Sequence, residues 1–213
     1  ANPESENDFG KNIITSMLAD QQKLYAYRFE GYWKDVGTIQ SYWESNMDLI
    51  RTLPEFDLYE DFWKIYTNSD HQPPQYTAAD AKVEESLLSD GCEVYGEVYS
   101  SILGPGVIVE KGAVVRDSII MAGTTIGEGS LVDKCVIDEK CKIGKNVQMG
   151  VGEDVPNELK PAIYNTGITV MGMNSIVPDG VVMGKNCVIS GATVAADYPD
   201  GKLASGKSVI REV

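Results

Sequence analysis

Three observations in the sequence predict a mainly β fold in which short strands coil around a common axis. An apolar residue returns at every sixth position over Ile102–Val132, and the same spacing returns over Val170–Val194. A helix would repeat about every 3.6 residues, whereas a spacing of six is a multiple of the two-residue period of a strand. Turn residues such as Gly104–Gly106 lie inside the units. Each unit is therefore a short strand followed by a corner, which predicts a hexapeptide-repeat parallel β-helix.

The repeat also predicts which residues stack on each other. Three units of six residues make one coil, so residues eighteen apart are expected to pair at roughly 4.8 Å, the spacing of neighbouring strands. The expected pairs are Ile102 with Ile120, Ile108 with Ile126, and Ile176 with Val194.

The residues before the repeat predict a helix, a strand and a second helix. Residues 9–20 carry apolar residues on one helical face, and residues 23–30 alternate in the manner of a strand. Thr38 is a suitable N-cap for a helix that runs to about Leu53, before Pro54. These three elements are too few to close a sheet and its core, so they are expected to be the tail of a larger domain.

A change in composition predicts a domain boundary. All seven Trp and Phe residues and nine of the eleven Tyr residues precede residue 100, whereas 18 of the 21 glycines follow residue 90. Large rings suit a layered domain, whereas a narrow coil has small residues inside and glycine at its corners. We predict a first domain over 1–53, a linker over 54–80 and the β-helix over 81–213. The linker is too rich in apolar residues for a solvated tether, so it is expected to be ordered and to pack between the two domains.

The repeat is expected to be irregular in two places and to end in a cap. The spacing slips by one residue near Ile137–Ile143. Residues 150–169 form an excursion, and such loops are either partner-binding surfaces or neutral insertions. Residues 195–213 are expected to cap the last coil, which would otherwise expose an unpaired edge.

Composition and charge exclude several classes of function. The formal net charge is −14, with 32 acidic and 18 basic residues, which argues against a nucleic-acid partner. No apolar run approaches the ~18 residues that a membrane span needs, so a cytoplasmic protein is expected. The four cysteines form no CxxC pair and the chain has one histidine, so a zinc site is not expected. The cysteines are interpreted as small buried core residues, namely Cys92, Cys135, Cys141 and Cys187.

One stretch, Tyr32–Thr38, has a composition that suits chemistry. In it Asp35 follows two aromatic rings and precedes a glycine at the end of the predicted strand, where α/β domains place ligand-binding residues. The alternative is that Asp35 accepts hydrogen bonds in a turn or a cap. Spacing alone does not decide between the two.

Six stretches, in this order along the chain, resemble bacterial glucose-1-phosphate adenylyltransferase (ADP-glucose pyrophosphorylase): Asp8–Ile14, Tyr32–Thr38, Asn46–Leu49, Asp61–Thr67, Pro73–Tyr76 and Gly91–Gly96. The resemblance covers essentially the whole chain. It implies that the β-helix is left-handed and that the first residues are the helix-strand-helix end of an α/β nucleotidyltransferase domain. It also implies that the chain is the C-terminal part of a longer enzyme and is inactive by itself.

The resemblance further implies an activity and its partners. The family transfers an adenylyl group from ATP to α-D-glucose 1-phosphate and releases pyrophosphate, making ADP-glucose for glycogen biosynthesis. By position, Asp35 matches the aspartate that helps to hold catalytic Mg²⁺ against the nucleotide phosphates. The family also implies a homotetramer, or a mixed tetramer with a paralogous subunit, in which the β-helix serves oligomerisation and allosteric regulation.

Three alternatives stay open beside this interpretation. One is a non-catalytic regulatory paralogue of the same enzyme. Another is a pyrophosphorylase for a different sugar nucleotide, against which the stretches Asp61–Thr67 and Pro73–Tyr76 argue. The third is a hexapeptide-repeat acyltransferase, which generally needs a histidine base at a coil edge, whereas His71 lies in the predicted linker.

Overall fold

The computed structural model describes residues 6–67 and 71–211 and divides the chain into two units, 1–33 and 34–213. The first unit contains a π-helical turn at Phe9–Ile13 that continues into helix α1 at Ile14–Ala19. The Asp8 carboxylate begins the helical segment by accepting a hydrogen bond from the Lys11 amide at 2.7 Å. The helix predicted over 9–20 is thereby confirmed.

The strand predicted over 23–30 does not form. These residues have no regular secondary structure and pair with no other strand in the described part of the chain. Alternating side chains favour a strand only when a neighbouring strand receives the backbone hydrogen bonds. Without one, Tyr25, Tyr27 and Phe29 remain exposed.

The second unit begins with helix α2 at Ile39–Met47, followed by a 3₁₀ turn at Asp48–Ile50. Thr38 is the N-cap, as predicted: its hydroxyl accepts from the Ser41 amide at 3.1 Å, and Ser41 Oγ accepts from the Thr38 amide at 3.0 Å. The helical segment ends earlier than the predicted Leu53, because the chain tightens to 3₁₀ geometry and Arg51 is extended.

The predicted linker is described over residues 54–67 and 71–80. Residues 54–67 contain no helix or strand, and their aromatic side chains are exposed, with Phe62 at 99%. The packing of these rings between two domains stays a prediction.

The rest of the chain forms three parallel sheets that run along a β-helix, which confirms the predicted fold class. Sheet A contains strands β1 Tyr76–Thr77, β4 Glu93–Val94, β7 Ile108–Val109, β10 Thr125–Ile126, β13 Lys142–Ile143 and β16 Ile176–Val177. Sheet B contains β2 Lys82–Glu84, β5 Glu97–Tyr99, β8 Val114–Arg116, β11 Leu131–Asp133, β14 Gln148–Met149, β17 Val182–Met183 and β19 Lys202–Leu203. Sheet C contains β3 Leu87–Leu88, β6 Ile102–Leu103, β9 Ile119–Ile120, β12 Cys135–Ile137, β15 Thr169–Met171, β18 Val188–Ser190 and β20 Ser208–Ile210.

The three expected stacking pairs are wrong, although β15 and β18 do pair residues eighteen apart, as Val170 with Val188. Ile102 pairs with Ile119 and Ile108 pairs with Thr125, so a central coil takes seventeen residues. The corner between β8 and β9 is short, with two residues between the strands, whereas four residues lie between β7 and β8 and between β9 and β10. Asp117 at this corner has a left-handed backbone, with φ 46°, which turns the chain in less length. Ile176 likewise pairs with Ala192 rather than Val194.

Ile102, Ile108 and Val114, which follow the six-residue spacing, lie on the outer surface of the β-helix. The residue after each of them is fully buried, at Leu103, Val109 and Val115. Successive side chains of a strand point to opposite faces, so a shift of one residue exchanges the inside for the outside. The core is a column of such inward residues along the β-helix axis.

The four cysteines are buried and unpaired, as interpreted from the sequence. Burial raises the pKa of the Cys141 and Cys187 thiols to about 11 and raises that of Cys135 further. These thiols therefore stay protonated near neutral pH and act as packing residues.

The excursion is confirmed, since residues 150–168 contain no strand and β12 pairs directly with β15. The prediction for the C-terminal residues is wrong. Two 3₁₀ turns at Ala195–Asp197 and Pro199–Gly201 lead into β19 and β20, which extend sheets B and C. The residues that were expected to cap the coil therefore add strands to it. No helix among the described residues is long and apolar enough to cross a membrane.

Candidate functional site

Asp35 lies in a segment without regular secondary structure that leads into helix α2. Its side chain is exposed and lies over Gly37, where a Cβ atom would be 3.4 Å from Asp35 Oδ2. The predicted strand end is absent at this point, so the position of Asp35 depends on how the neighbouring residues attach to the helix.

Lys34, next to Asp35, is held by the acidic residues near the end of helix α2. Its Nζ donates to Asp48 Oδ2 at 2.9 Å and lies 3.5 Å from Glu44 Oε2. The hydrogen bond with Asp48 raises the pKa of Lys34 above its ordinary value. Arg51 pairs with the other Asp48 oxygen at 2.9 Å. Lys34 is thus anchored before Asp35, and the Thr38 cap anchors the chain after it.

Helix α2 packs on the outer face of sheet C. Ile39, Tyr42, Trp43 and Met47 of the helix pack with the outward-facing Ile119 and Val136, and with Ile168. Trp43 Nε1 donates to the Asp117 carbonyl at 2.7 Å. These contacts fix the segment that carries Asp35 to the β-helix.

Lys134 connects helix α2 to the excursion. Its ammonium nitrogen lies 5.5 Å from the centre of the Trp43 ring and donates to the Thr166 carbonyl at 2.9 Å. A cation over an indole ring adds a favourable electrostatic contact. The structure therefore brings together two stretches that the sequence analysis treated separately.

A cavity of about 600 Å³ lies between the start of helix α2 and the excursion. Its volume is in the range of small-molecule sites. The lining side chains are apolar or neutral and polar: Val36, Gly37, Thr38, Ile39, Gln40, Tyr42, Ala162, Ile163, Asn165 and Thr166. Such a lining suits an uncharged group rather than a phosphate.

The excursion is held in place by two buried asparagines. Asn157 donates to the Asn186 carbonyl at 3.0 Å and to Ser208 Oγ at 2.9 Å, and its Oδ1 accepts from the Leu159 amide at 3.0 Å. Asn186 donates to Asp154 Oδ1 at 2.6 Å and to the Val155 carbonyl at 2.9 Å. The excursion is therefore an anchored part of the fold.

The predicted metal ligand has the chemistry for one part of a Mg²⁺ site. In proteins Mg²⁺ is usually held by one or two carboxylates together with water and substrate phosphates. Asp35 offers an exposed carboxylate, but no group of three or more acidic, histidine or cysteine residues among those described forms a metal site. Asp35 therefore fits as a single protein ligand and not as part of a closed protein cage.

The contacts of Lys34 and Lys134 are not predicted by the sequence patterns above. Glu44 and Asp48 are four residues apart on one helical face, and this acidic pair is the signal that a basic partner is needed. His71, the residue on which the acyltransferase alternative depends, is exposed.

Two family models match the chain. One described as "Nucleotidyl transferase" matches residues 1–52, and one described as "GlmU-like, C-terminal hexapeptide" matches residues 73–171. The first agrees with the resemblance of the N-terminal residues. The second agrees with the predicted left-handed hexapeptide β-helix.

Curated proteins named glucose-1-phosphate adenylyltransferase are similar to nearly the whole chain. That of Acetivibrio thermocellus is 50% identical over 210 residues, which are 99% of this chain and 49% of the relative. Those of Lachnospira eligens and Thermotoga neapolitana are 55% and 56% identical, each over 98% of this chain and 49% of the relative. The chain spans about half the length of the curated relatives it matches.

Proposed function

We propose that the protein to which this chain belongs transfers an adenylyl group from ATP to α-D-glucose 1-phosphate, giving ADP-glucose and pyrophosphate. The observation that carries the proposal is the similarity, at 50–56% identity over 98–99% of the chain, to proteins named for this activity. Because the chain spans half of those relatives, the activity is proposed for the whole protein. This chain alone is proposed to be inactive.

In this proposal Asp35 supplies one carboxylate oxygen to Mg²⁺. The bound ion would neutralise charge that develops on the phosphates as pyrophosphate leaves. The exposure of Asp35 and the anchors on both sides of it support this role, since a ligand shared with a substrate must be accessible and fixed in place.

The β-helix is proposed to hold subunits together and to carry regulation, within a homotetramer or a mixed tetramer that serves glycogen synthesis in the cytoplasm. Its outer surface has partly exposed apolar residues, among them Ile102, Ile108 and Val114, and such surfaces favour association.

The test is Asp35→Asn in the protein at the full length of its relatives, with pyrophosphate release measured at saturating MgATP. We expect turnover to fall more than ~100-fold, because the substitution removes the ionised ligand but not the side-chain shape. The matched control is Asp80→Asn, which removes an exposed carboxylate at the start of the β-helix. Its turnover is expected to equal that of the wild type.

Each contrary outcome has a distinct meaning. Near-normal turnover of Asp35→Asn would exclude the metal role. If the full-length wild type shows no turnover but changes the turnover of a paralogous subunit, the non-catalytic alternative is favoured. Pyrophosphate release by this chain alone would contradict its proposed inactivity.

A further inference from the structure

We propose that Asp48 and Glu44 act through Lys34 as positioning residues for the Asp35 carboxylate. This inference rests on the proposed function, because it concerns how Asp35 is held in place. It adds a second group of residues, on the opposite end of helix α2 from the cap, to the site.

The geometry gives Lys34 one preferred location. Its ammonium lies 2.9 Å from Asp48 Oδ2 and 3.5 Å from Glu44 Oε2. The Lys34 side chain is 26% exposed and that of Asp48 is 19% exposed, whereas the Arg51 side chain is 66% exposed. Exposed ion pairs add little, but a partly buried and hydrogen-bonded pair is less screened by solvent and holds its geometry better.

The two anchors leave little freedom between them. Lys34 is attached to the last turn of helix α2, and Thr38 caps its first turn, so three residues connect the anchors. Asp35 is the first of the three. Because this short connection restricts the backbone, the Asp35 carboxylate loses little further conformational entropy when it binds a ligand.

The placement of the acidic residues is unfavourable for the helix itself. Helix α2 has no acidic residue in its first turn and no basic residue in its last turn. Glu44 and Asp48 lie near the negative end of the helix dipole, and like charges four residues apart repel. Local rules that are broken in this way are expected at functional sites. Here Lys34 compensates both acidic residues, and Arg51 compensates Asp48 as well.

The experiment uses the full-length protein with Lys34→Ala, Asp48→Asn and the double variant. We expect each single variant to lower kcat ~10-fold, with KM for glucose 1-phosphate within about twofold of wild type. The double variant should be no worse than either single variant, because both remove the same contact. Lys34→Arg should restore most of the activity.

A second readout does not depend on turnover. Mn²⁺ affinity, measured by water-proton relaxation with a non-hydrolysable ATP analogue, should weaken several-fold in Lys34→Ala and Asp48→Asn. The matched control is Arg51→Gln, since Arg51 pairs with the Asp48 oxygen that does not face Lys34. This variant should keep the wild-type affinity and kcat.

Additive losses in the double variant, or a fall in Tm with unchanged kcat and Mn²⁺ affinity, would overturn the positioning role. If Asp35→Asn is inactive while Lys34→Ala is normal, the proposed function stands and this inference fails. If Asp35→Asn keeps full activity and Mn²⁺ affinity, both fail.

Discussion

Asp117, at the corner between β8 and β9, combines a left-handed backbone with an exposed side chain whose carboxyl pKa is raised. Its φ is 46°, its carbonyl accepts from Trp43 Nε1, and its carboxyl lies near that of Asp133. Local desolvation, and then the negative charge of Asp133, raise the pKa of Asp117 above its ordinary value. The folded protein therefore binds the Asp117 proton more tightly than the unfolded chain does.

The sign of the pH dependence follows from this shift. Stability falls as the pH rises through the interval between the unfolded and folded pKa of Asp117, and the loss is complete at neutral pH. We predict that Asp117→Asn raises Tm at pH 7 and leaves it unchanged near pH 3, where the aspartic acid is protonated in both states. Thermal denaturation followed by circular dichroism at the two pH values is the measurement.

Asp200→Asn is the control for Asp117→Asn. Asp200 has a similar φ of 53° and an exposed side chain, and the substitution removes the same charge from this acidic protein. If both variants raise Tm equally at pH 7, relief of the overall net charge and not the local desolvation and the Asp133 charge at Asp117 would explain the gain.

The excursion differs from an ordinary surface loop because buried contacts hold it in place. Gly150 begins it with φ 80°, and a Cβ atom there would overlap the Asp133 carbonyl oxygen. Further along, Asn157 is 1% exposed and joins the excursion to strands β18 and β20 through Asn186 and Ser208. An element anchored in this way can form one wall of a persistent cavity.

We predict that Asn157→Ala releases the excursion and lowers the free energy of unfolding by about 2–4 kcal/mol, because it leaves buried polar groups unpaired. Limited proteolysis should then cut within residues 151–168. Asn165→Ala is the control, since Asn165 is exposed and donates only to the nearby Pro161 carbonyl. Equal protection of the excursion in Asn157→Ala and wild type would contradict the anchoring role.

At the scale of the whole molecule, the β-helix is a stack in which each coil contacts its neighbours. Ile126 lies in a central coil between Val109 and Ile143. Leu203 lies in β19, which pairs with β17 and with no other strand among the described residues. Both side chains are buried. In such a stack, the stability lost when a substitution leaves a cavity depends on how many neighbouring coils lose contacts.

We predict that Ile126→Ala lowers the free energy of unfolding by about 2–5 kcal/mol and that Ile126→Val lowers it by about 0.5–1.5 kcal/mol. Leu203→Ala should cost less and should increase hydrogen exchange only in β19 and β20. Denaturant titration with hydrogen exchange measures both effects. Equal losses of global stability for Ile126→Ala and Leu203→Ala would argue against fraying from the end.

The difference between predicted and observed register has a specific cause. Both residues of Ile102-Leu103 are apolar, as are both of Ile108-Val109, so composition does not tell which one faces inward. Ile119 and Val136 face outward and are nevertheless buried, because helix α2 covers them. The short corner at Asp117 contains no glycine, so the sequence does not indicate that a residue there has a left-handed backbone.

The sequence predicts only those parts of the candidate site that depend on local patterns. Asp35 was singled out from its neighbours in the sequence and from the resemblance, and the Thr38 cap from its local pattern. Lys34 and Asp48 are separated by thirteen residues, and their contact depends on where the segment before helix α2 folds against the helix.

The sequence by itself determined the β-helix, the helices before it, the excursion and the candidate Asp35, because periods, caps and turn residues are local properties of the chain. Only the tertiary structure decided the seventeen-residue coil, the inward residue of each strand, the docking of helix α2 on sheet C and the cavity beside the excursion. These features depend on contacts between residues far apart in the chain, and no local pattern encodes such contacts.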